Sequence, residues 1–126
     1  MSFHGSLSET ELWSNSSPTS SFTQQTVTLN QSIQNFNYIK LKVRQSTSIN
    51  TIISCIYSVE DVNAAQTSGT SYIALSAPFA RVSSITLNRL FGKSSDTQMV
   101  IGDAKQLGGT NTNNAACIPL AIYGCK

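Results

Sequence analysis

Phe36-Asn37-Tyr38-Ile39-Lys40-Leu41-Lys42-Val43-Arg44 is the stretch that decides the fold class. Ile39, Leu41 and Val43 alternate with Lys40, Lys42 and Arg44, and a period of two puts successive side chains on opposite faces of an extended strand. A helix would scatter the same residues around its circumference. The segment is therefore a half-buried β-strand, apolar on its inner face and basic on its outer one. The three cations form a solvated stripe, because three charges alone supply little affinity for phosphate or an acidic surface.

Upstream, Thr26-Val27-Thr28-Leu29 alternates in the same way, and Glu11-Leu12-Trp13 gives a shorter strand signal. Between them lies a Ser/Thr/Asn-rich loop, residues 14–21, with Pro18 inside it. Trp13 reads as an anchor tying the N-terminal segment to the core, with residues 1–10 as an extended arm. Downstream, residues 51–59 read TIISCIYSV. Ile53, Cys55, Tyr57 and Val59 share one face, and Ile52 and Ile56 sit on the other. A strand apolar on both faces is either central or buried against a second body. Ile52 and Ile56 are accordingly the candidate subunit interface; a covering loop of the same chain is the other reading.

Residues 60–66 can hold one helical turn, and residues 71–76 a short strand that Pro78 ends. Residues 82–91 read as one strand, with Ile85 and Leu87 inward and Ser84, Thr86 and Asn88 outward. A turn containing Gly92, Ser94, Ser95 and Asp96 follows. Residues 97–101 form a strand closing at Gly102-Asp103, and residues 107–114 a flexible loop. In the last strand, residues 117–123, Pro119 lacks a donor and so marks a sheet edge, a bulge or a non-bonding position. About seven or eight short strands at this spacing specify an all-β fold, an antiparallel β-sandwich of jelly-roll-like type. Residues 1–126 form one domain on length.

Charge is sparse: 8 Lys plus Arg and 6 Asp plus Glu give a net charge of +2 and 11% charged residues, against about 25% in an average domain. Solvation falls instead to 20 Ser, 13 Thr, 10 Asn and 8 Gln. Such short hydroxyls and amides suit close contact with protein or glycan. So small a net charge is no footprint for nucleic acid. No apolar run reaches the length of a membrane span, and the N-terminus has no signal-peptide pattern. Cys55, Cys117 and Cys125 are odd in number, which describes no disulfide framework. Cys117 and Cys125 would lie about 27 Å apart in one strand, too far to bridge. Cys55 could pair with either, but buried free thiols in a reducing cytoplasm fit the usage better.

Catalytic chemistry finds no support in these residues. Gly92-Lys93-Ser94 resembles the end of a phosphate loop, but Leu87 stands where that motif needs glycine. His4 is the single histidine, without ligand companions in sequence, which also removes most acid–base schemes near neutral pH. Glu9, Glu11, Glu60, Asp61, Asp96 and Asp103 form no pair flanking a cleft: Asp96 and Asp103 look like turn residues, and a calcium site at Asp103 lacks the dense acidic loop it would need. Asn15-Ser16-Ser17 and Asn30-Gln31-Ser32 are chance glycosylation sequons in a chain without an export signal. The expectation is a non-enzyme with no catalytic residues, no metal and no cofactor. Exposed coplanar aromatics would instead mark a free carbohydrate-binding module, and Tyr57, Tyr72 and Phe79 are the residues placed for ligand contact.

Three segments taken together resemble small β-sandwich modules of phage virion proteins. They are Leu12-Trp13-Ser14-Asn15 with Ser17-Pro18-Thr19, Phe22 and Gln25-Thr26-Val27-Thr28-Leu29; Phe36-Asn37-Tyr38-Ile39; and the terminal Ile118-Pro119-Leu120-Ala121-Ile122-Tyr123-Gly124. Modules of this kind sit at the distal ends of tail-associated proteins. The resemblance implies a viral structural protein, made in host cytoplasm and built into the virion. It would be a tail-associated host-attachment module binding a surface glycan or protein. Starting at its own Met1 with no preceding shaft, it departs from the tail-fibre pattern, which leaves room for the alternative of a capsid decoration or head-fibre protein. Its partners would be other virion proteins and copies of itself, with a trimer favoured, and neither nucleic acid nor membrane.

Overall fold

The alternation at residues 38–46 is realised as the spine of a four-stranded sheet. The protein is described here by a computed structural model covering residues 8–65, 75–76 and 80–126. In chain order the elements are β1 (Glu9–Ser14), β2 (Gln25–Thr28), a short 3-10 turn (Ile33–Asn35), β3 (Tyr38–Ser46), β4 (Ile52–Ser58), α1 (Val59–Ala65), β5 (Leu75–Ser76), β6 (Ala80–Val82), β7 (Ile85–Asn88), β8 (Leu90–Ser95), β9 (Gln98–Ile101), β10 (Lys105–Gln106) and β11 (Ala116–Cys125).

Three antiparallel sheets result. The front sheet runs β1-β11-β3-β4, the back sheet β2-β9-β8-β5, and a small sheet β10-β7-β6 closes the side. In β3, Ile39, Leu41 and Val43 are buried and face the back of the molecule, as their phase dictates. They meet Val27, Phe91, Met99 and Ile101 of the back sheet and Leu87 and Ala80 of the small one in one apolar cluster. This is an all-β, sandwich-like architecture. Eleven strands stand among the described residues because β5, β6 and β10 are only two or three residues long.

Residues 82–91 correct the reading of one continuous strand. Val82 pairs with Ile85 across a two-residue turn at Ser83-Ser84, with Ser83 at φ 58°. This is the backbone sign a tight hairpin wants at its first central residue, a place usually held by glycine. The chain then leaves the small sheet at Arg89 and enters the back sheet at Leu90. Asn88, expected outward, is buried. Gly92, Ser94 and Ser95 continue β8, so the turn narrows to Asp96-Thr97. The loop of residues 107–114 is held at its base by a bridge from Lys105 to Thr112.

Of the places open to Pro119, the structure takes the bulge. β11 lies inside the front sheet between β1 and β3, and its register with β3 shifts between Pro119 and Ala121. Asn15 caps the irregularity, donating from its backbone N to Leu120 O at 2.8 Å and from Nδ2 to Pro119 O at 2.8 Å. Near the other end, a Cβ on Gly124 would stand 2.5 Å from the Phe36 ring, so only glycine lets β11 pass there. α1 takes the place of the helical turn expected at residues 60–66 but opens one residue earlier, at Val59, which the alternation of residues 51–59 puts in the strand: Val59 and Val62, three apart, turn one face into the core, and Ser58 Oγ accepts from Asp61 N at 3.0 Å as its N-cap.

Candidate functional site

The outer face of the front sheet carries the residues singled out for an interface. The β3–β4 register pairs Lys40 with Ile56, Lys42 with Ser54 and Arg44 with Ile52. Antiparallel partners share a face, so the basic stripe and the two isoleucines form one surface. Ile52 is 48% and Ile56 51% exposed. β4 is not central: among the described residues it pairs with β3 alone and is the sheet's edge. Ile53, on the inner face, is also partly exposed, because an edge strand overhangs the core.

The cations of the stripe are not equally free. Lys40 forms an ion pair with Glu9 of β1 and stands 5.0 Å from the centre of the Tyr123 ring. Lys42 Nζ lies 5.9 Å from the same ring, a cation–π placement on a wet face. Arg44 donates to Ile49 O at 3.4 Å and Thr47 O at 3.3 Å, holding the β3–β4 connection. The result is a face acidic at β1, basic along β3 and apolar at β4.

Tyr57 lies on the opposite face of β4. Its ring packs edge-on against Phe91, centroids 5.0 Å apart, and its hydroxyl donates to Ser76 O at 2.5 Å. Burial, with Cys55 beside it, pushes the phenol pKa up. The geometry spends this side chain within the fold. Tyr72 and Phe79 lie outside the described residues, as does His4. Trp13 packs against the core, edge-on to Phe22 at 6.1 Å. All three cysteines are free thiols, Cys117 and Cys125 buried and Cys55 partly so; burial raises the pKa of both buried thiols, keeping them protonated. Among the described residues no three of His, Cys, Asp and Glu gather as a metal site would require, and no helix is long and apolar enough to cross a membrane.

A concavity of about 530 Å³ opens where the back and small sheets meet. Leu90 and Leu107, both exposed, flank Asn88, Asp103 and Lys105 there. Asp103 is a turn residue with a structural task. Its Oδ1 accepts from Gln24 N at 2.8 Å and from Asn114 Nδ2 at 3.0 Å, and the Gln24 bond above all holds its pKa below the ordinary carboxylate value. Asp96 takes a similar part at the opposite turn, accepting from Lys93 Nζ at 2.7 Å and Gln34 Nε2 at 3.2 Å.

Sequence reasoning missed Arg89. It is 1% exposed, and its guanidinium donates to Cys117 O at 2.7 Å, Gly102 O at 2.8 Å, Ala116 O at 3.0 Å and Asn114 O at 3.3 Å. Burial pushes its pKa down to about 10, opposed by Cys117 and Asp103, so it remains charged at neutral pH. The fork of donors suits carbonyls arriving from several directions. It stitches the end of β9, the loop before β11 and the start of β11 to the crossover between sheets. Cys117, at φ 51°, turns its carbonyl into this cradle while its thiol donates to Leu87 O at 3.3 Å. A signal was present: Arg89 follows Ile85 and Leu87 in inward phase. No protein-family model, curated protein or solved structure matches this chain.

Proposed function

We propose that this chain is a non-enzymatic structural protein of a phage particle, a tail-associated or surface-exposed module that joins the virion and contacts a host-surface glycan or protein. The observation that carries the reading is the front sheet's outer face, where Ile52 and Ile56 stand exposed beside Lys42 and Arg44 on a strand without a charge of its own. A surface of that kind favours a protein neighbour. The resemblance of the Leu12–Leu29, Phe36–Ile39 and Ile118–Gly124 segments to virion modules names the setting, and three free thiols suit assembly in a reducing cytoplasm. Placement on the capsid, as a decoration or head-fibre protein, fits the same surface equally well.

A free carbohydrate-binding module draws less support. Trp13 and Tyr57 pack inward, and Tyr123 lies beneath two lysines, so none of the three offers an open ring to a sugar. Antibody labelling of purified particles in the electron microscope tests the proposal. Label at a fixed place on tail or head is the expected result; particles free of the protein by both labelling and mass spectrometry would sink it.

A further inference from the structure

Among the described residues β4 has no neighbour on its outer side, and it has unusual features for such an edge. Ile52–Ser58 reads IISCIYS, with no lysine, proline or bulge to discourage pairing. Edges left so are templates for another strand. The backbone phase says which groups are on offer. Val59 N donates to Asn37 O at 2.9 Å and Gln45 N to Thr51 O at 2.8 Å, so odd-numbered residues of β4 exchange hydrogen bonds with β3. The N–H and C=O groups of Ile52, Ser54 and Ile56, and the N–H of Ser58, whose C=O begins the helical ladder of α1, therefore point away from β3.

Cations run the whole length of β3 behind this edge, with Lys40 paired to Glu9 and Lys42 over Tyr123, whereas acidic charge lies at one end only. Arg44 stands beside Ile52 at one end, and Glu60 and Asp61, both exposed, follow Ser58 at the other. A parallel neighbour would set like charges together. An antiparallel copy of the same strand brings each Arg44 toward the partner copy's acidic helix start. Attraction across both ends is what a self-complementary two-fold contact needs.

We infer that β4 pairs antiparallel with β4 of a second copy of this chain about a two-fold axis at Cys55, joining two front sheets into one eight-stranded sheet. Ser54 then exchanges both bonds with Ile56 of the other copy, and Ser58 N–H donates to Ile52 C=O of the other copy at each end. Ile52 and Ile56 of both copies lie on one continuous outer face. Cys55 meets its own counterpart in a non-bonded pair, where Cα atoms come within about 4.5 Å, a spacing a disulfide can span. The inference rests on strand phase and charge, and holds whether or not the protein belongs to a particle.

Light scattering on the full chain at high micromolar concentration is expected to give twice the chain mass. Mild oxidation with diamide, which takes one hydrogen from each of two thiols and is itself reduced to the hydrazine, should link the dimer through Cys55 alone, since Cys117 and Cys125 are buried. Ser54→Pro removes a donor that points only to the open side, so it should halve the mass and abolish the link while the β3–β4 ladder stays intact. Should that variant misfold, a charge exchange serves instead. Glu60→Lys with Asp61→Lys should dissociate the dimer, and adding Arg44→Glu should restore it. A monomeric or trimeric wild type overturns the inference, and so does a dimer that neither links through Cys55 nor responds to either set of variants.

Discussion

The interior of this protein is ordered in two different ways, and β3 and the Arg89 corner show the contrast. Along β3, Ile39, Leu41 and Val43 are buried because apolar area leaves water, an attraction without direction that tolerates conservative exchange. Around Arg89 the chain crosses between sheets, and one guanidinium gathers four carbonyls, of which Asn114 O also accepts from Phe22 N at 2.9 Å. That arrangement is directional and leaves little room for substitution: unmade, each buried carbonyl carries its own desolvation cost. The first region is a surface hidden by periodicity; the second is a junction held by a single side chain.

Breaking the junction is expected to produce the largest effect. Arg89→Lys keeps the charge but replaces a planar fork of five donors by a point charge that cannot serve four carbonyls on three elements. A loss of about 1–3 kcal/mol is expected, because three donors on one nitrogen leave at least one of the buried carbonyls without its partner. Urea unfolding followed by Trp13 fluorescence measures it. A loss no larger than that of an ordinary surface change would mean that the corner is held by its apolar surroundings, and the contrast with β3 would collapse.

Asp103 sharpens the same contrast from the acid side. Its carboxylate takes Gln24 N and Asn114 Nδ2, and Asn114 in turn gives its Oδ1 to Ala104 N at 2.9 Å. Its folded pKa lies below the unfolded value, so its contribution is fully present above the unfolded pKa and fades as pH falls through the folded one. Urea midpoints measured from neutral pH down through the carboxylate range should drop on the acid side in the wild type. Asp103→Asn should be less stable at neutral pH and show a shallower acid limb. Because the group is largely solvated, the effect is smaller than that of Arg89. An unchanged acid limb would assign acid sensitivity to Asp96 instead, whose pKa is lowered by Lys93 and Gln34.

What the sequence disclosed follows the same division. β3, β2 and β9 were legible as strands from local signals, and a helical turn was expected at residues 60–66, but Val59, read as the last inward residue of β4, in fact opens α1. Ile52 and Ile56 were legible as a pair on the outer phase of β4. Their place at an edge was not, since strand order depends on pairing between segments distant in sequence: β11 inserts between β1 and β3 from the far end of the chain. Residues 82–91 misled because Val82, Ile85 and Leu87 look continuous when no glycine or asparagine marks a turn. Arg89 in inward phase was the one local clue to the junction, and a clue to a structural role rather than a site.

Ser83 offers the smallest and most local test of that reading. It holds φ 58° at the first central position of the β6–β7 hairpin, where a side chain is disfavoured and glycine is at ease. If the hairpin is set by the register of Val82 with Ile85 and by the pull of Arg89 beyond it, the serine is tolerated against its own preference. Ser83→Gly removes that strain at the cost of a freer unfolded chain, and a net gain of roughly 0.5–1 kcal/mol is expected in the urea midpoint. Ser83→Val, β-branched and averse to positive φ, should lose at least as much. Were both variants neutral, the turn would lack the stated backbone sign and residues 82–91 would be nearer the single strand their alternation suggests. Opposite shifts of similar size would place the strain at this residue and confirm that the chain turns here, before Arg89 carries it across to the back sheet.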